Sequence, residues 1–195
     1  MPYFDAPVLE NPYARLEPLS AAHHDELAAA VAVDDLWRAW YTSVPTPESM
    51  TEAISARLRL HSEQRMAPWA VIDPATGRAV GMTTFLNLEP ENRRLEIGYT
   101  WLGATAQGTK VNPAVKRLLL TRAFDELGCI AVEFRTHWHN HQSRAALAKL
   151  GAKQDGVLRN HKVLDNGTVR DTVVFSIIDA EWPTVKFALD QRLSR

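Results

Sequence analysis

The sequence has almost none of the residues that form covalent or metal crosslinks. Its 195 residues include a single cysteine, Cys129, which excludes an internal disulfide and a zinc site built from cysteines. Cys129 begins the apolar run CIAVEF, so we expect a buried structural thiol rather than a nucleophile. Folding must therefore depend on an apolar core.

Long apolar runs and an excess of one charge sign are also missing. No window approaches the ~20 apolar residues of a membrane-spanning helix, and the start MPYFDAPVLENPYARL lacks the pattern of a signal peptide. Lysine and arginine number 22 against 23 acidic residues, so the net charge of -1 offers no broad surface for nucleic acid. We expect a cytoplasmic protein with neither a membrane nor a nucleic-acid partner.

The composition that remains is that of a globular protein. Apolar residues make up 46% and charged residues 23% of the chain, and there is no repeat, linker or low-complexity segment. A chain of this length suits one well-buried core better than two. Residues 1–195 are therefore expected to form a single domain.

Helix and strand patterns mix along the chain, which predicts an α/β fold. Ser20 and the pair Thr46-Pro47 are helix start signals, and Asn166-Gly167 is typical of a type I′ hairpin turn. Strands are predicted at 13–19, 67–73, 79–89, 94–102 and 129–137 and in a hairpin at 156–178, and helices at 20–33, 34–40, 47–65, 113–127, 140–152 and 180–193.

Residues 94–137 read as a strand, a loop, a helix and a second strand. Such a crossover makes the two strands parallel neighbours, while the meander before it and the hairpin after it are antiparallel. The expected architecture is a mixed, mostly antiparallel sheet with one parallel pair and helices on both faces.

The loop of this crossover, AQGTKVNP, leads directly into a helix. Asn112 is the predicted N-cap and Pro113 the first helical residue, so the loop faces unpaired backbone N–H groups that favour an anion. Neither the Gly-Lys-Ser/Thr of a P-loop nor the three glycines of a dinucleotide loop is present. From the loop alone, an anion site and a simple connection remain equally open.

A second stretch, NHQSRAALAKLGA at 140–152, follows the next strand. Together with QGTKVN it resembles the two acetyl-CoA-binding motifs of the GCN5-related N-acetyltransferase (GNAT) superfamily, and most closely the RimJ/RimL-like branch. RLEPL, EIGYTW and the hairpin GVLRNHKVLDNGTVRDTVVFSII extend the resemblance over nearly the whole chain. In that family the first motif holds the pyrophosphate and the second lies beside the pantetheine arm.

The resemblance implies the positions that bind acetyl-CoA. Lys110 departs from the family, which commonly has glycine there, and it would place an ammonium near a phosphate. The parallel strands are expected to separate near Trp101–Gly103, where a backbone N–H would polarise the thioester carbonyl. The implied cofactor-binding residues are Trp101, Leu102, Gln107, Gly108, Thr109, Lys110, Val111, Asn112, Asn140 and Ser143.

Three side chains are candidates for catalysis. Strand alternation places Glu96 opposite a face formed by Leu95, Ile97, Tyr99 and Trp101, where burial would raise its pKa toward that of a general base. An ion pair with Arg94 or Arg135 is the competing role, and the resemblance favours the base. By the same resemblance Ser143 protonates the leaving thiolate, unless it only supports its helix, and Tyr99 is the second candidate acid, unless it only packs in the core.

Two further groups have an expected role. The resemblance implies that Trp37 and Trp40 lie beside the acceptor groove and line the substrate pocket. His137, His139 and His141 alternate as metal ligands might, but the helix cap at Asn140 ends the strand between them, so no metal is expected.

The expected activity is transfer of an acetyl group from acetyl-CoA to a primary amine, either a protein N-terminus or a small molecule. An α-amine, with a pKa near ~7.7–8, needs less help to become neutral than a lysine near ~10.4. The alternative is an acyl-CoA-binding regulatory protein without turnover. A homodimer formed through the hairpin at 156–178 is plausible.

Overall fold

The computed structural model describes residues 2–33 and 35–194, and in these residues eight strands form one sheet flanked by five α-helices. The strands are β1 (Leu9–Asn11), β2 (Ala14–Pro18), β3 (Met66–Asp73), β4 (Arg78–Glu89), β5 (Arg94–Leu102), β6 (Ala131–His137), β7 (Lys153–Val163) and β8 (Val169–Ile178). The helices are α1 (His24–Ala32), α2 (Met50–Ser62), α3 (Val111–Thr121), α4 (His141–Leu150) and α5 (Trp182–Ser194).

The strand order is β1-β2-β3-β4-β5-β6-β8-β7. Every neighbouring pair is antiparallel except β5 and β6, which are joined through α3 and run parallel. The predicted crossover in a mostly antiparallel sheet is therefore confirmed.

Helices cover both faces of the sheet, as predicted. Trp69, Phe85 and Leu95 belong to a large core on the face of α3, α4 and α5. A second core places α1 and α2 against Met82 and Trp101 on the opposite face. Alternating residues of β3 and β4 supply both cores, which is why these strands are nearly continuous in apolar residues.

The parallel pair is short. Only residues 94–96 of β5 pair with residues 131–133 of β6. Beyond this point β5 stays bound to β4 and β6 stays bound to β8, so the two parallel strands diverge. The sheet is thus open between them toward the start of α3.

A β-bulge in β5 corrects the predicted strand alternation. Residues 98–101 of β5 lie opposite residues 82–84 of β4, so β5 has one extra residue, and Tyr99 takes a left-handed φ of 48°. The alternation reverses after the bulge because one residue is inserted into a period of two. Trp101 therefore packs in the α1–α2 core, away from Leu95, and Tyr99 is 45% exposed rather than buried in the core.

Helix α3 begins earlier than predicted. Lys110 occupies its N-cap position and Asn112 lies in the first turn, so the prediction of Asn112 as the cap is wrong. The hydroxyl of Thr109 instead accepts a hydrogen bond from the Val111 N–H, at 3.2 Å. The helix ends in a π-helical turn, Arg122–Glu126.

Two further local predictions differ from the structure. The hairpin turn is not type I′, because Gly167 has a φ of 80° whereas Asn166 has no positive φ; the turn is a three-residue loop closed by a hydrogen bond from the Gly167 N–H to the Leu164 carbonyl. Helix α2 starts three residues after Pro47. The segment predicted at 34–40 is only a 3₁₀ turn, Leu36–Arg38, and Asp34 lies outside the described residues.

The bulge and its neighbour β4 are held in close contact at Gly81. A Cβ atom at this position would lie 2.2 Å from the Trp101 carbonyl oxygen and 3.0 Å from the Leu102 Cα. Both are backbone atoms, so they cannot turn away as a side chain would.

We expect Gly81→Ala to lower the free energy of unfolding by roughly 1–3 kcal/mol, which is several degrees in Tm for a chain of this size. Gly156→Ala in β7 is the matched control, because a Cβ there would meet nothing within 4 Å. Thermal melts followed by circular dichroism test the difference, and equal Tm values for the two variants would contradict it.

Candidate active site

A cleft of about 960 Å³ opens where β5 and β6 diverge. It is lined by the turn before α3 and by the first turn of α4 at one end, and by β6 and the β7–β8 hairpin at the other. It therefore connects the two faces of the sheet and brings together most of the residues expected to bind donor and acceptor.

The turn before α3 forms one end of the cleft. Gln107 and Gly108 line it together with Asn112, and the side-chain amide of Gln107 donates to the Leu102 carbonyl, at 2.9 Å. Gly108 has a φ of 72°, and a Cβ there would meet nothing within 4 Å. The backbone at Gly108 is consequently left-handed and open to the cleft, which is the requirement for N–H groups that bind an anion.

Lys110 is directed away from this end of the cleft. Its ammonium donates to the Leu193 carbonyl, at 2.8 Å, and to the Tyr13 hydroxyl, at 3.3 Å, and lies 4.5 Å from the centroid of the Tyr13 ring. The expectation that this ammonium lies where a phosphate would bind is not met. Thr109 and Val111 also lie outside the cleft lining.

The first turn of α4 has the predicted cap. The Asn140 side-chain oxygen accepts the Ser143 N–H, at 2.9 Å. The Ser143 hydroxyl makes no hydrogen bond with any described residue, and both side chains line the cleft. The helix cap therefore uses the backbone N–H of Ser143, and the Ser143 hydroxyl remains available for a hydrogen bond in the cleft.

Glu96 lies at the point where the two strands separate. It is 6% exposed, and its Oε2 accepts a hydrogen bond from Asn87 at 2.7 Å and lies 3.5 Å from Arg135 Nε. Burial raises the pKa of Glu96, and Arg135 and Asn87 partly offset this. Both expected roles are thus present in the geometry, since Glu96 lines the cleft and also pairs with Arg135.

Tyr99 projects into the cleft because of the bulge. Its hydroxyl has no hydrogen bond to a described residue, and the Arg57 guanidinium lies 5.3 Å from the centroid of its ring. A residue of this size in a left-handed conformation is uncommon and tends to occur at functional positions.

Trp101 and Leu102 line the cleft, and the adjacent Gly103 does not supply a free donor. The Gly103 N–H is bonded to the Val80 carbonyl at 2.8 Å, which removes Gly103 from the expected donors at 101–103. The indole nitrogen of Trp101 is buried without a partner among the described residues.

Trp37 and Trp40 do not line the cleft. Trp37 packs beside the α1–α2 core, and Trp40 contacts the rings of Tyr41 and His137 at centroid distances of 5.6 and 5.1 Å. Tyr41 lines the cleft, so the residue that follows Trp40 occupies the position predicted for Trp40.

The sequence reading missed several polar residues of the cleft. Lys116 and Arg170 sit within helix and strand patterns, where nothing in a single sequence separates them from solvated surface residues. Asn87 does have a signal, because an asparagine inside the apolar strand FLNLE marks an irregular position, and its φ in the structure is 46°.

Two other features bear on the range of chemistry. Within residues 2–33 and 35–194 no three histidine, cysteine or acidic side chains are grouped as metal ligands would be. None of the helices formed by these residues is both long and apolar enough to cross a bilayer.

Comparison with known proteins agrees with this geometry. The family model "Acetyltransferase (GNAT) domain" matches residues 14–153. The Bacillus subtilis protein "Putative ribosomal N-acetyltransferase YdaF" is 34% identical over 106 residues, which are 54% of this chain and 57% of YdaF.

Longer alignments extend the similarity. "Uncharacterized N-acetyltransferase YoaA" of Bacillus subtilis is 27% identical over 175 residues, covering 88% of this chain and 97% of YoaA. The crystal structure of a GCN5-related N-acetyltransferase from Brucella melitensis is 31% identical, with a TM-score of 0.87, and the superposition covers 95% of this chain and 85% of that one.

The family model thus covers most of the chain. The matched residues include the diverging strands β5 and β6, the turn at the start of α3 and the capped start of α4. The chain belongs to the GNAT superfamily of N-acetyltransferases.

Proposed function

We propose that residues 1–195 form one domain that transfers an acetyl group from acetyl-CoA to a primary amine, without a metal. The observation that carries this proposal is the cleft itself, which joins the left-handed turn at Gly108 at one end to the buried carboxylate of Glu96 at the other. A donor bound along the cleft would present its acyl group to an amine beside Glu96, which supplies the proximity that a two-substrate reaction needs.

The donor end fits a pyrophosphate. Gly108 and Asn112 line the cleft at the start of α3, and the helix dipole adds positive potential there. Lys149 and Arg192 line the same cleft, and Arg192 lies near the end of α5 that contacts Lys110. Asn140 and Ser143 on α4 would flank the pantetheine arm, and bound acetyl-CoA would supply the thioester that the amine attacks.

Glu96 is the proposed general base. A carboxylate with a raised pKa, held by Asn87 and Arg135, can remove a proton from an ammonium directly or through water. Ser143 and Tyr99 are the proposed acids for the leaving thiolate, because both hydroxyls lie in the cleft without hydrogen bonds to described residues.

Lys116 is a further cation in the opening between the strands. Its ammonium reaches from α3 to the Thr100 hydroxyl, at 3.4 Å, and lies 5.4 Å from the centroid of the Phe134 ring. Burial lowers the pKa of Lys116 to about 8. In this position an ammonium would stabilise negative charge that develops on the leaving sulfur.

We expect Glu96→Gln to lower kcat by roughly 10²–10⁴-fold, the usual contribution of a general base, while acetyl-CoA still binds. Glu91→Gln, at an exposed turn, is the control and should leave both unchanged. Thiol release in the presence of an amine panel measures kcat, and calorimetry measures acetyl-CoA affinity. Wild-type activity in Glu96→Gln would reject the base, and binding without turnover in the wild-type protein would favour the regulatory alternative.

Lys110 is expected to stabilise the fold rather than bind the donor. Lys110→Met removes hydrogen bonds to the Leu193 carbonyl and the Tyr13 hydroxyl, so the free energy of unfolding should fall by about 1–2 kcal/mol. Lys149→Met, on an exposed position of α4, is the control for Tm. A large loss of acetyl-CoA affinity in Lys110→Met at an unchanged Tm would show that the side chain does bind phosphate.

Lys116 should make stability depend on pH. Since its folded-state pKa of about 8 lies below the ordinary 10.5, the unfolded chain binds more protons between these pH values, and stability rises with pH there. Below pH 8 Lys116 is protonated in the folded protein as well, so the full destabilisation caused by burying its charge is present. We therefore expect Lys116→Met to raise the free energy of unfolding at pH 7 by about 1–3 kcal/mol. The gain should shrink from pH 8 to 10, as urea titrations can measure; a gain independent of pH would contradict this.

A further inference from the structure

The charges of the cleft are one-sided although the chain as a whole is nearly neutral. Among the charged side chains that line it, Glu96 is the acid, and the cations are Arg65, Lys116, Arg135, Lys149, Lys162, Arg170 and Arg192. Lys149 and Arg192 serve the donor end. The other five cations line the rest of the cleft, where a polyamine would be repelled.

Arg170 is the most specific of these cations. Its Nε donates to the Thr172 hydroxyl at 2.8 Å, and within the described part of the chain no carboxylate lies within 4 Å of its guanidinium. Burial lowers the pKa of Arg170, and the carboxylate of Glu96 partly offsets this. Its two terminal nitrogens are therefore held toward the cleft without an anionic partner from the described chain.

The surroundings of Arg170 are fixed. Thr172 is fully buried, and its hydroxyl also lies 3.0 Å from His161 Nδ1. Because this hydroxyl accepts from Arg170, its single hydrogen is available for His161. Burial lowers the pKa of His161, and the cations Lys162, Arg135 and Arg170 lower it further, so the imidazole is neutral and the positive charge remains on the arginine.

A second guanidinium lies nearby without an acid. Arg57 is 8% exposed, donates to the Ala53 carbonyl at 2.9 Å and packs against the Tyr99 ring, while its Nε has no hydrogen-bond partner in the described residues. Two guanidinium groups with little water and no described carboxylate partner are costly unless an anion joins them. Arg57 does not itself line the cleft, but the Tyr99 ring on which it packs does.

We propose that the acceptor is a small primary amine that carries an oxyanion, a carboxylate or phosphate, and that Arg170 binds this oxyanion while the amine lies at Glu96. The inference rests on the proposed function and narrows its acceptor. Arg170 and Glu96 line the same cleft, so the amine and the oxyanion can belong to one small molecule such as an amino acid. A peptide N-terminus has a neutral amide at that position.

The fraction of neutral amine in the free substrates would favour the opposite preference. A carboxylate next to an ammonium stabilises its charged form, so an amino acid has less neutral amine at pH 7 than the corresponding amide. Preference for the amino acid must therefore come from the protein.

Matched pairs of acceptors test the proposal. Serine is compared with serinamide and with a serine-led peptide, and phosphoethanolamine with ethanolamine, by thiol release from acetyl-CoA. We expect the anionic member of at least one pair to have a tenfold or greater advantage in kcat/KM, and the pair that shows it identifies carboxylate or phosphate.

Substitution of Arg170 separates binding of the oxyanion from general damage. Arg170→Gln should lower kcat/KM for the anionic acceptor by roughly 10–100-fold, mainly through KM, as expected for loss of a charged hydrogen bond, and leave the neutral partner within about threefold. Arg170→Lys should keep part of the preference, and Arg78→Gln, at an exposed position of β4, should keep all of it.

The outcomes are distinguishable. Equal use of anionic and neutral acceptors by the wild-type protein, or an equal loss for both in Arg170→Gln, overturns the anion subsite while leaving N-acetyl transfer intact. Absence of thiol release with every amine rejects the proposed function and the acceptor together. If Arg170→Gln lowers Tm, the wild-type ratios and Arg170→Lys decide the question.

Discussion

The functional architecture depends on how briefly β5 and β6 pair. Three residues from each strand are joined, after which β4 and β8 hold the two strands apart. Unpaired backbone inside a sheet is costly unless another group takes its hydrogen bonds. The Gln107 amide does this for the Leu102 carbonyl, and the turn before α3 closes the wide end. One interruption in the ladder thus creates both the cleft proposed for a donor arm and the entrance proposed for its phosphates.

The opening between β5 and β6 lowers the stability of the fold, because it contains buried charged groups. Glu96, Lys116 and Arg170 each have a pKa shifted toward the neutral form, and burial is the first cause in every case. A protein selected for stability alone would replace such groups with apolar residues of similar size. Their position around one cleft indicates that the stability they remove is exchanged for a low-dielectric site in which charges act strongly on a reaction.

Much of the fold could be predicted because it follows from local signals. The cap at Asn140, the crossover through α3 and the hairpin each have a pattern within a dozen residues, and the structure confirms the elements they predict. The bulge at Tyr99 has no such signal. It reverses the orientation of Trp101 by inserting one residue, and a single sequence contains no record of the partner strand that defines the insertion.

The residues of the site divide in the same way, into those with a local sequence signal and those without one. Glu96, Ser143 and Gln107 could be placed because they lie in motifs, and the structure brings them to one cleft. Arg170 and Thr172 could not, because their importance comes from β8 lying beside β6, a contact between residues distant in sequence. Trp37 and Trp40 were placed in the groove on resemblance alone, and the irregular segment around them puts Tyr41 there instead.

Lys110 shows why a departure from a family pattern needs a structure to interpret it. A glycine is required where φ is positive or where another group must approach the Cα closely. At position 110 the backbone is ordinary right-handed helix, with φ of -72° and ψ of -10°, and the left-handed residue of the turn is Gly108. A side chain at 110 is therefore free of backbone strain, and it leaves the cleft by binding Tyr13 and the end of α5. The lysine ties the start of α3 to Tyr13 and to the end of α5, and the left-handed turn beside the cleft depends on Gly108 rather than on a glycine at position 110.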